Sequence, residues 1–268
     1  MIDLHCHILP GIDDGARTLD DALEMARLAA RDGIEAVVAT PHLFRGDAAE
    51  EDWEAIERAS EELRQALRQN QIPIEILSGS EAHVSHRLLP EIRRHRERLV
   101  INRGSYLFIE FPSHHIFSGA KNLFFELMSE GINPIIAHPE RNSVFIQNPV
   151  HLYDLIQMGA LAQANSGSFF GLYGSPSREA ALRFLEFNLI HFIASDSHDG
   201  RGLRPGLSEA RRKAETVAGP EMAGALVNDN PRAVIHDEEP PCRPDPRNPG
   251  PKSMNISIPK LFGRKKPI

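Results

Sequence analysis

Ile2-Asp3-Leu4-His5-Cys6-His7, residues 2–7, reads as a short buried strand that runs out into paired imidazoles. The strand itself spans Ile2 to His5, and the loop that follows, with Pro10, Gly11 and Gly15, should continue neither a strand nor a helix. On extended backbone, residues two apart project to the same side, so His5 and His7 can reach one ion. Cys6 then points the other way, as a small thiol packed in the core.

Outward from this stretch the same unit recurs. Thr18 can cap a helix, with Asp21 at the acidic third position of a capping box and Leu19, Leu23, Ala26 and Ala30 as its apolar face, up to Gly33. Ile34 to Thr40 is an apolar, β-branched strand, and Trp53 to Gln69 an amphipathic helix with Ile56, Leu63 and Leu67 along one side. Further strands are expected at Ile74–Ser78, Tyr106–Phe111, Asn133–Ala137, Leu161–Asn165 and Ile190–Ser195, with helices near 118–130, 149–158, 176–187 and Leu207–Val217. Alternation of this kind requires parallel strands joined by right-handed crossovers. Seven such strands favour a closed or nearly closed α/β barrel over an open sheet.

A chain of 268 residues suits one such barrel as a single domain, expected over 1–236. Residues 237–268 are proline-rich and end on Arg264-Lys265-Lys266, which reads as a flexible, solvated tail. Apolar residues at 41% and charged residues at 25% are those of a globular protein, and the net charge of −7 argues against a nucleic-acid footprint. Cys6 and Cys242 do not suggest a disulfide framework, and neither a signal peptide nor a membrane-spanning run is visible. A cytoplasmic enzyme or binding protein is the expectation.

Metal-ligating residue types fall where strands should end: His42, Glu81, Glu110, His138, and then Asp196 with His198, while Asp14 sits in the first loop. In a parallel barrel those ends share one rim, the rim on which such folds build active sites. An isolated His-x-His says little, but nine His, Asp and Glu side chains at the same end of six βα units are hard to explain as packing. Nitrogen and carboxylate donors without thiolate suit Zn²⁺, Mn²⁺ or Fe²⁺, two or three ions with shared carboxylates. A cysteine-phosphatase pattern is excluded, because position 12 is Ile and position 248 is Asn.

The opening Met1–His7, Asp13-Asp14-Gly15, Ala137-His138-Pro139-Glu140-Arg141 and Ala194-Ser195-Asp196-Ser197-His198 together resemble the PHP superfamily, named for polymerase and histidinol phosphatase domains. Within it they look like the bacterial tyrosine phosphatases of capsule and exopolysaccharide operons. The resemblance implies a distorted (β/α)7 barrel and makes His5, His7, Asp14, His42, Glu81, Glu110, His138, Asp196 and His198 the ligands of two or three divalent ions, with Mn preferred over Fe or Zn. It nominates Arg141 and Arg204 for the substrate phosphate, although the spacing after His198 departs from the family's pattern and Arg201 competes for the second role. It further implies phosphotyrosine on the tail of a bacterial tyrosine kinase as substrate.

Other readings remain: a histidinol-phosphate type of phosphomonoesterase, a nuclease with the same centre, or a noncatalytic metal-binding module. Gln163-Ala164-Asn165-Ser166 could place polar groups near the phosphate or be an ordinary strand end. Arg87, Arg93, Arg94, Arg96 and Arg98 give one helix a basic bias, either a solvated face or a dock for an acidic phosphorylated tail.

Overall fold

Among the described residues the barrel wall is made of nine strands: β1 (Ile2–Cys6), β2 (Ala36–Ala39), β3 (His42–Leu43), β4 (Glu75–Ser78), β5 (Glu81–His83), β6 (Tyr106–Glu110), β7 (Asn133–Ala137), β8 (Leu161–Asn165) and β9 (Phe192–Ala194). They amount to seven passages of the chain, since β3 prolongs β2 and β5 prolongs β4. In the computed structural model, which describes residues 1–46 and 51–250, all pairings are parallel, in two sheets ordered β1-β2-β4 and β3-β5-β6-β7-β8-β9.

The two expected strands are interrupted for identifiable reasons. Pro41 follows β2 and has no N–H for a ladder. Gly79 follows β4 at a close approach, where a Cβ would stand 2.7 Å from Val38 Cγ1. The seam between β9 and β1 is joined at one end by a Cys6–Ser197 bridge, with His7 N–H donating to Ser197 O at 2.9 Å. At the other end Leu226 and Val227 intervene, their carbonyls accepting from Ile193 and Ile2 N–H. The result is a distorted α/β barrel.

Helices α1 (Leu19–Arg31), α2 (Trp53–Gln69), α3 (Leu88–Leu99), α4 (Ala120–Ser129), α5 (Ser143–Gln147), α6 (Val150–Gln157), α7 (Ser175–Glu186), α8 (Ser208–Ala218), α9 (Pro220–Ala225) and α10 (Asp229–Ile235) follow the strands. Thr18 caps α1 with the reciprocal Asp21 bonds of a capping box. No helix among the described residues is long and apolar enough to cross a membrane.

Strand alternation sorts the core into two shells. Leu107, Ile109, Ile136, Ala162, Ala164 and Ile193 face the helices, while Leu4, Val38, Phe108, Ile135, Leu161 and Phe192 belong to a separate apolar cluster within the barrel. Continuing the inner register toward the strand ends reaches His42 on β3, Glu81 on β5, Glu110 on β6, Gln163 and Asn165 on β8, and Asp196 after β9.

The extension expected from residue 237 is described as far as residue 250. That stretch lacks helical or strand periodicity, but its backbone is tied down. Tyr106 Oη donates to Glu238 O (2.9 Å), Asn230 brackets Cys242, Asn188 donates to Asp245 O (2.9 Å), and Arg183 donates to Pro249 O (2.7 Å). The basic end Arg264-Lys265-Lys266 lies outside the described residues.

Candidate metal centre

Two ligand candidates depend on a backbone device that alternation alone would not provide. Ile2 and Leu4 fill the inside of the barrel, so strict alternation would turn His5 out toward the helices. Between Asp3 and Cys6 the β1–β2 register slips, with three steps on β1 against two on β2, which is a bulge. His5 therefore turns inward onto Phe108, its ring centroid 4.8 Å away, while Cys6 enters the outer apolar cluster. Burial, reinforced by the Asp3 carboxylate, pushes the Cys6 thiol well up, and it serves as core. His138 (φ 29) and Asp196 (φ 51) both occupy the left-handed region, a conformation that costs about 1–3 kcal/mol and is commonly stored at functional sites.

All nine ligand candidates converge on this rim. His5 Nδ1 faces Gln163 Oε1 at 3.1 Å, His7 Nδ1 faces Asp13 Oδ2 at 2.7 Å, and His198 Nδ1 faces the Asp196 carbonyl at 2.9 Å. Each partner fixes a ring so that Nε2 is presented to the centre, the arrangement usual behind metal-binding histidines. The Nε2 atoms of His5 and His7 lie 3.2 Å apart, beside Glu81 Oε2 (3.4 and 3.5 Å) and Asp196 Oδ1 (3.5 and 3.3 Å). His42 approaches Glu81 (2.8 Å), Glu110 (3.6 Å) and Asp14 (3.4 Å); His138 meets Glu81 Oε1 at 2.9 Å, and His198 meets Asp14 at 3.4 Å. Gly15 lets this loop close over His7, because any Cβ there would stand 2.0 Å from the His7 carbonyl oxygen.

The donors fit bound cations. Buried His42 Nδ1 and Glu81 Oε2 stand 2.8 Å apart, yet neither makes a hydrogen bond of acceptable geometry. Three overlapping groups have the reach to hold an ion: His7, Asp14, His42 and His198; His5, His7 and Glu81; and His42, Glu81 and Glu110. Burial would lift the Glu81 and Asp196 carboxyls, but the surrounding imidazoles hold both well below the usual range. Burial would likewise depress His7, yet Asp13 and Asp196 hold it well above its ordinary value. The field that draws a proton onto His7 is the field that attracts a divalent cation.

Residues 1–236 match the family described as "Capsular polysaccharide synthesis, CpsB/CapC". The chain belongs to that family. The tyrosine-protein phosphatase YwqE of Bacillus subtilis is 38% identical over 238 residues, covering 89% of this chain and 92% of the relative. The tyrosine-protein phosphatase CpsB of Streptococcus pneumoniae is 29% identical over 243 residues. A crystal structure from work on YwqE and CpsB as metal-dependent tyrosine phosphatases superposes with a TM-score of 0.87 at 36% identity, covering 92% of this chain and 99% of the other. Histidinol phosphate phosphatase of Lactococcus lactis shares the fold, at TM-score 0.54 and 17% identity.

Within this CpsB/CapC framework the two arginines part company. Arg141 Nη1 donates to Asp196 Oδ2 at 2.5 Å, and its guanidinium lies 4.4 Å from the Tyr173 ring centroid. It lines a cavity of about 40 Å³ together with Arg45, Glu110, Phe111 and His138. Arg204 instead lies exposed on a neighbouring groove beside Ser166, Phe170 and Leu172, and Arg201 is exposed on a turn whose amides bind Asp199. The structure does not bring either into the ligand cluster.

Arg45 and His83 went unnoticed in the sequence. Arg45 approaches Asp14 (3.3 Å) and Glu110 (3.9 Å), and His83 meets Glu110 at 3.1 Å. Gln163 links His5 to Asn165, which donates to Asp196 Oδ2 at 2.6 Å, so this segment supports the centre. Asp13 stood in the quoted Asp13-Asp14-Gly15, and its short carboxylate-histidine bond was the missed role. Buried Glu140, whose carboxyl burial pushes up, accepts from Ser168 Oγ (2.6 Å) and Asn165 N–H (2.9 Å) and so anchors the turn before Tyr173.

Proposed function

We propose that this chain hydrolyses phosphotyrosine on proteins, using divalent ions held by His5, His7, Asp14, His42, Glu81, Glu110, His138, Asp196 and His198. The observation that carries the reading is the convergence of the His5 and His7 Nε2 atoms, 3.2 Å apart and flanked by two buried carboxylates, next to the half-buried Arg141. Family membership and the named phosphatase relatives support the substrate class.

When bound, two or three such ions, Mn²⁺ foremost, lower the pKa of water toward neutrality and neutralise charge on phosphoryl oxygens. Arg141 binds the phosphoryl group with its planar fork, held in place by Asp196 on one side and the Tyr173 ring on the other. Asn165 braces the same Asp196 oxygen. Arg204 is the second phosphate ligand in this reading, and from its exposed position it must swing inward when substrate arrives. Tyrosine as leaving group, with a phenol pKa of about 10, needs less protonation than an alkoxide would, so no dedicated general acid is required.

The substrate we favour is the phosphorylated tail of a bacterial tyrosine kinase, met in the cytoplasm, where Cys6 and Cys242 stay as the free thiols seen here. The test is turnover of a phosphotyrosine peptide, histidinol phosphate and a single-stranded oligonucleotide by the same preparation, with metal content measured. Phosphopeptide hydrolysis that chelation abolishes and Mn²⁺ restores is expected. Metal-loaded protein that hydrolyses none of them, or histidinol phosphate faster, would overturn the proposal.

A further inference from the structure

A groove of about 530 Å³ runs from the 166–172 turn, just past the end of β8, along α1 to the start of α8, where Arg212 lies near Met1 and Gly33. That volume lies in the range of binding clefts. Phe170 and Leu172 form its apolar wall with Leu28. They are 47% and 52% exposed, two of the four large apolar side chains left exposed among the described residues. Apolar groups gathered on a groove are informative where scattered ones are not. The turn carrying them is fixed: Leu172 N–H donates to Gly167 O at 3.1 Å, and Leu172 covers Gly167 so closely that a Cβ there would sit 2.7 Å from its Cδ2.

Charge narrows the occupant. Arg204 and Arg212 are exposed on this groove and make no ion pair among the described residues. Arg31 is engaged by Glu24 at 3.3 Å. Of the two acids present, Asp32 is consumed in capping α8 through the amides of Leu207 and Ser208 and the Ser208 hydroxyl, which leaves Glu209 as the opposing carboxylate. The arginine-rich face of α3 differs. There Arg93 pairs with Glu130, Arg94 with Glu91 and Arg98 with Glu57, while Arg96 is bound to the carbonyls of Glu130 and Gly131. An acidic partner would have to break those contacts on α3, whereas Arg212 stands ready.

The groove shares two chain segments with the centre. The turn that offers Phe170 and Leu172 outward offers Tyr173 to Arg141 at 4.4 Å, and Leu203 O accepts from the His198 N–H at 3.0 Å. We propose that this groove binds the polypeptide flanking the phosphotyrosine of a phosphoprotein substrate, seating an apolar side chain against Phe170 and Leu172 and an acidic residue further along the chain against Arg212. The inference rests on the hydrolytic reading above and adds to it a preference among sequences.

The experiment compares Phe170→Ala and Arg212→Glu with the unaltered chain on three substrates: p-nitrophenyl phosphate, and phosphotyrosine peptides with acidic-apolar or basic-polar flanks. Both side chains are exposed, so folding is retained. The expected result is a fall of about tenfold in kcat/KM for the acidic-apolar peptide, carried by KM, with p-nitrophenyl phosphate unchanged and the preference between peptides lost in Arg212→Glu. Equal losses on all three substrates, or none, would overturn the groove. Fluorescence anisotropy with the same peptides carrying a non-hydrolysable phosphonate reads the groove without turnover. Failure of the hydrolytic reading has its own signature, metal-loaded protein that cleaves no ester, and a flank preference measured by anisotropy would survive it.

Discussion

The barrel interior has two halves built on the same strands, and they obey opposite rules. Toward the strand starts, Ile2, Leu4, Val38, Ile135, Leu161 and Phe192 close on one another as a buried apolar plug. Toward the strand ends, the next inward positions are His42, Glu81, Glu110, Gln163, Asn165 and Asp196, nearly all buried and polar. The first half follows simple alternation. The second includes a bulge before His5 and left-handed backbone at His138 and Asp196, strain that only a gain in function would retain. One half therefore supplies stability, and the other gives some of it up to hold the buried polar cluster.

Substitutions can separate the halves. Glu81→Ala, which removes the carboxylate shared by His5, His42 and His138, should cut turnover more than about a hundredfold, beyond the range of supporting residues. Asp13→Asn, which weakens only the support of His7, should lower metal affinity by about 10–100-fold, read by metal titration. In the plug, Leu4→Ala should destabilise the fold by about 2–5 kcal/mol in urea unfolding, with turnover per folded molecule preserved. If Leu4→Ala abolished turnover at full occupancy of the fold, the division between halves would be wrong.

A smaller effect concerns pH. His191 enters β9, and burial, helped by Arg243, holds its imidazole down at about 3. Below the unfolded value of about 6.5 the unfolded chain takes up a proton that the native chain refuses, so this contribution is intact above that pH and erodes as pH falls toward 3. By pH 5 the loss should reach about 2 kcal/mol. His191→Gln should flatten the dependence of the urea midpoint on pH between 7 and 5 relative to the parent chain. Parallel curves for the two proteins would show that His191 does not titrate as its burial implies.

Much of this was legible where local chemistry and periodicity agree. Thr18 and Asp21 announced the start of α1, and the charged amphipathic run Trp53–Gln69 coincides with α2. Candidate ligands such as Glu81 and Asp196 could be picked out because they follow apolar strands in register. Features set by long-range backbone contacts were not legible. The bulge in β1 exists only against β2, and the interruptions at Pro41 and Gly79 show their effect only when neighbouring strands are in place. Residues 237–250 carry no periodic signal because they are bound by single carbonyls rather than by a buried face. Arg204 was nominated by resemblance, and its distance from the cluster reflects a loop whose path the spacing alone did not reveal.

The most direct test of the central idea is anomalous diffraction at the manganese edge from crystals grown with Mn²⁺. The account predicts two or three peaks within about 2.0–2.4 Å of the His5, His7, His42, His138 or His198 ring nitrogens and the Glu81 carboxylate, metal-ligand range for nitrogen and oxygen donors. Crystals of phosphatase-active protein with no peak near His5 and His7 would contradict it.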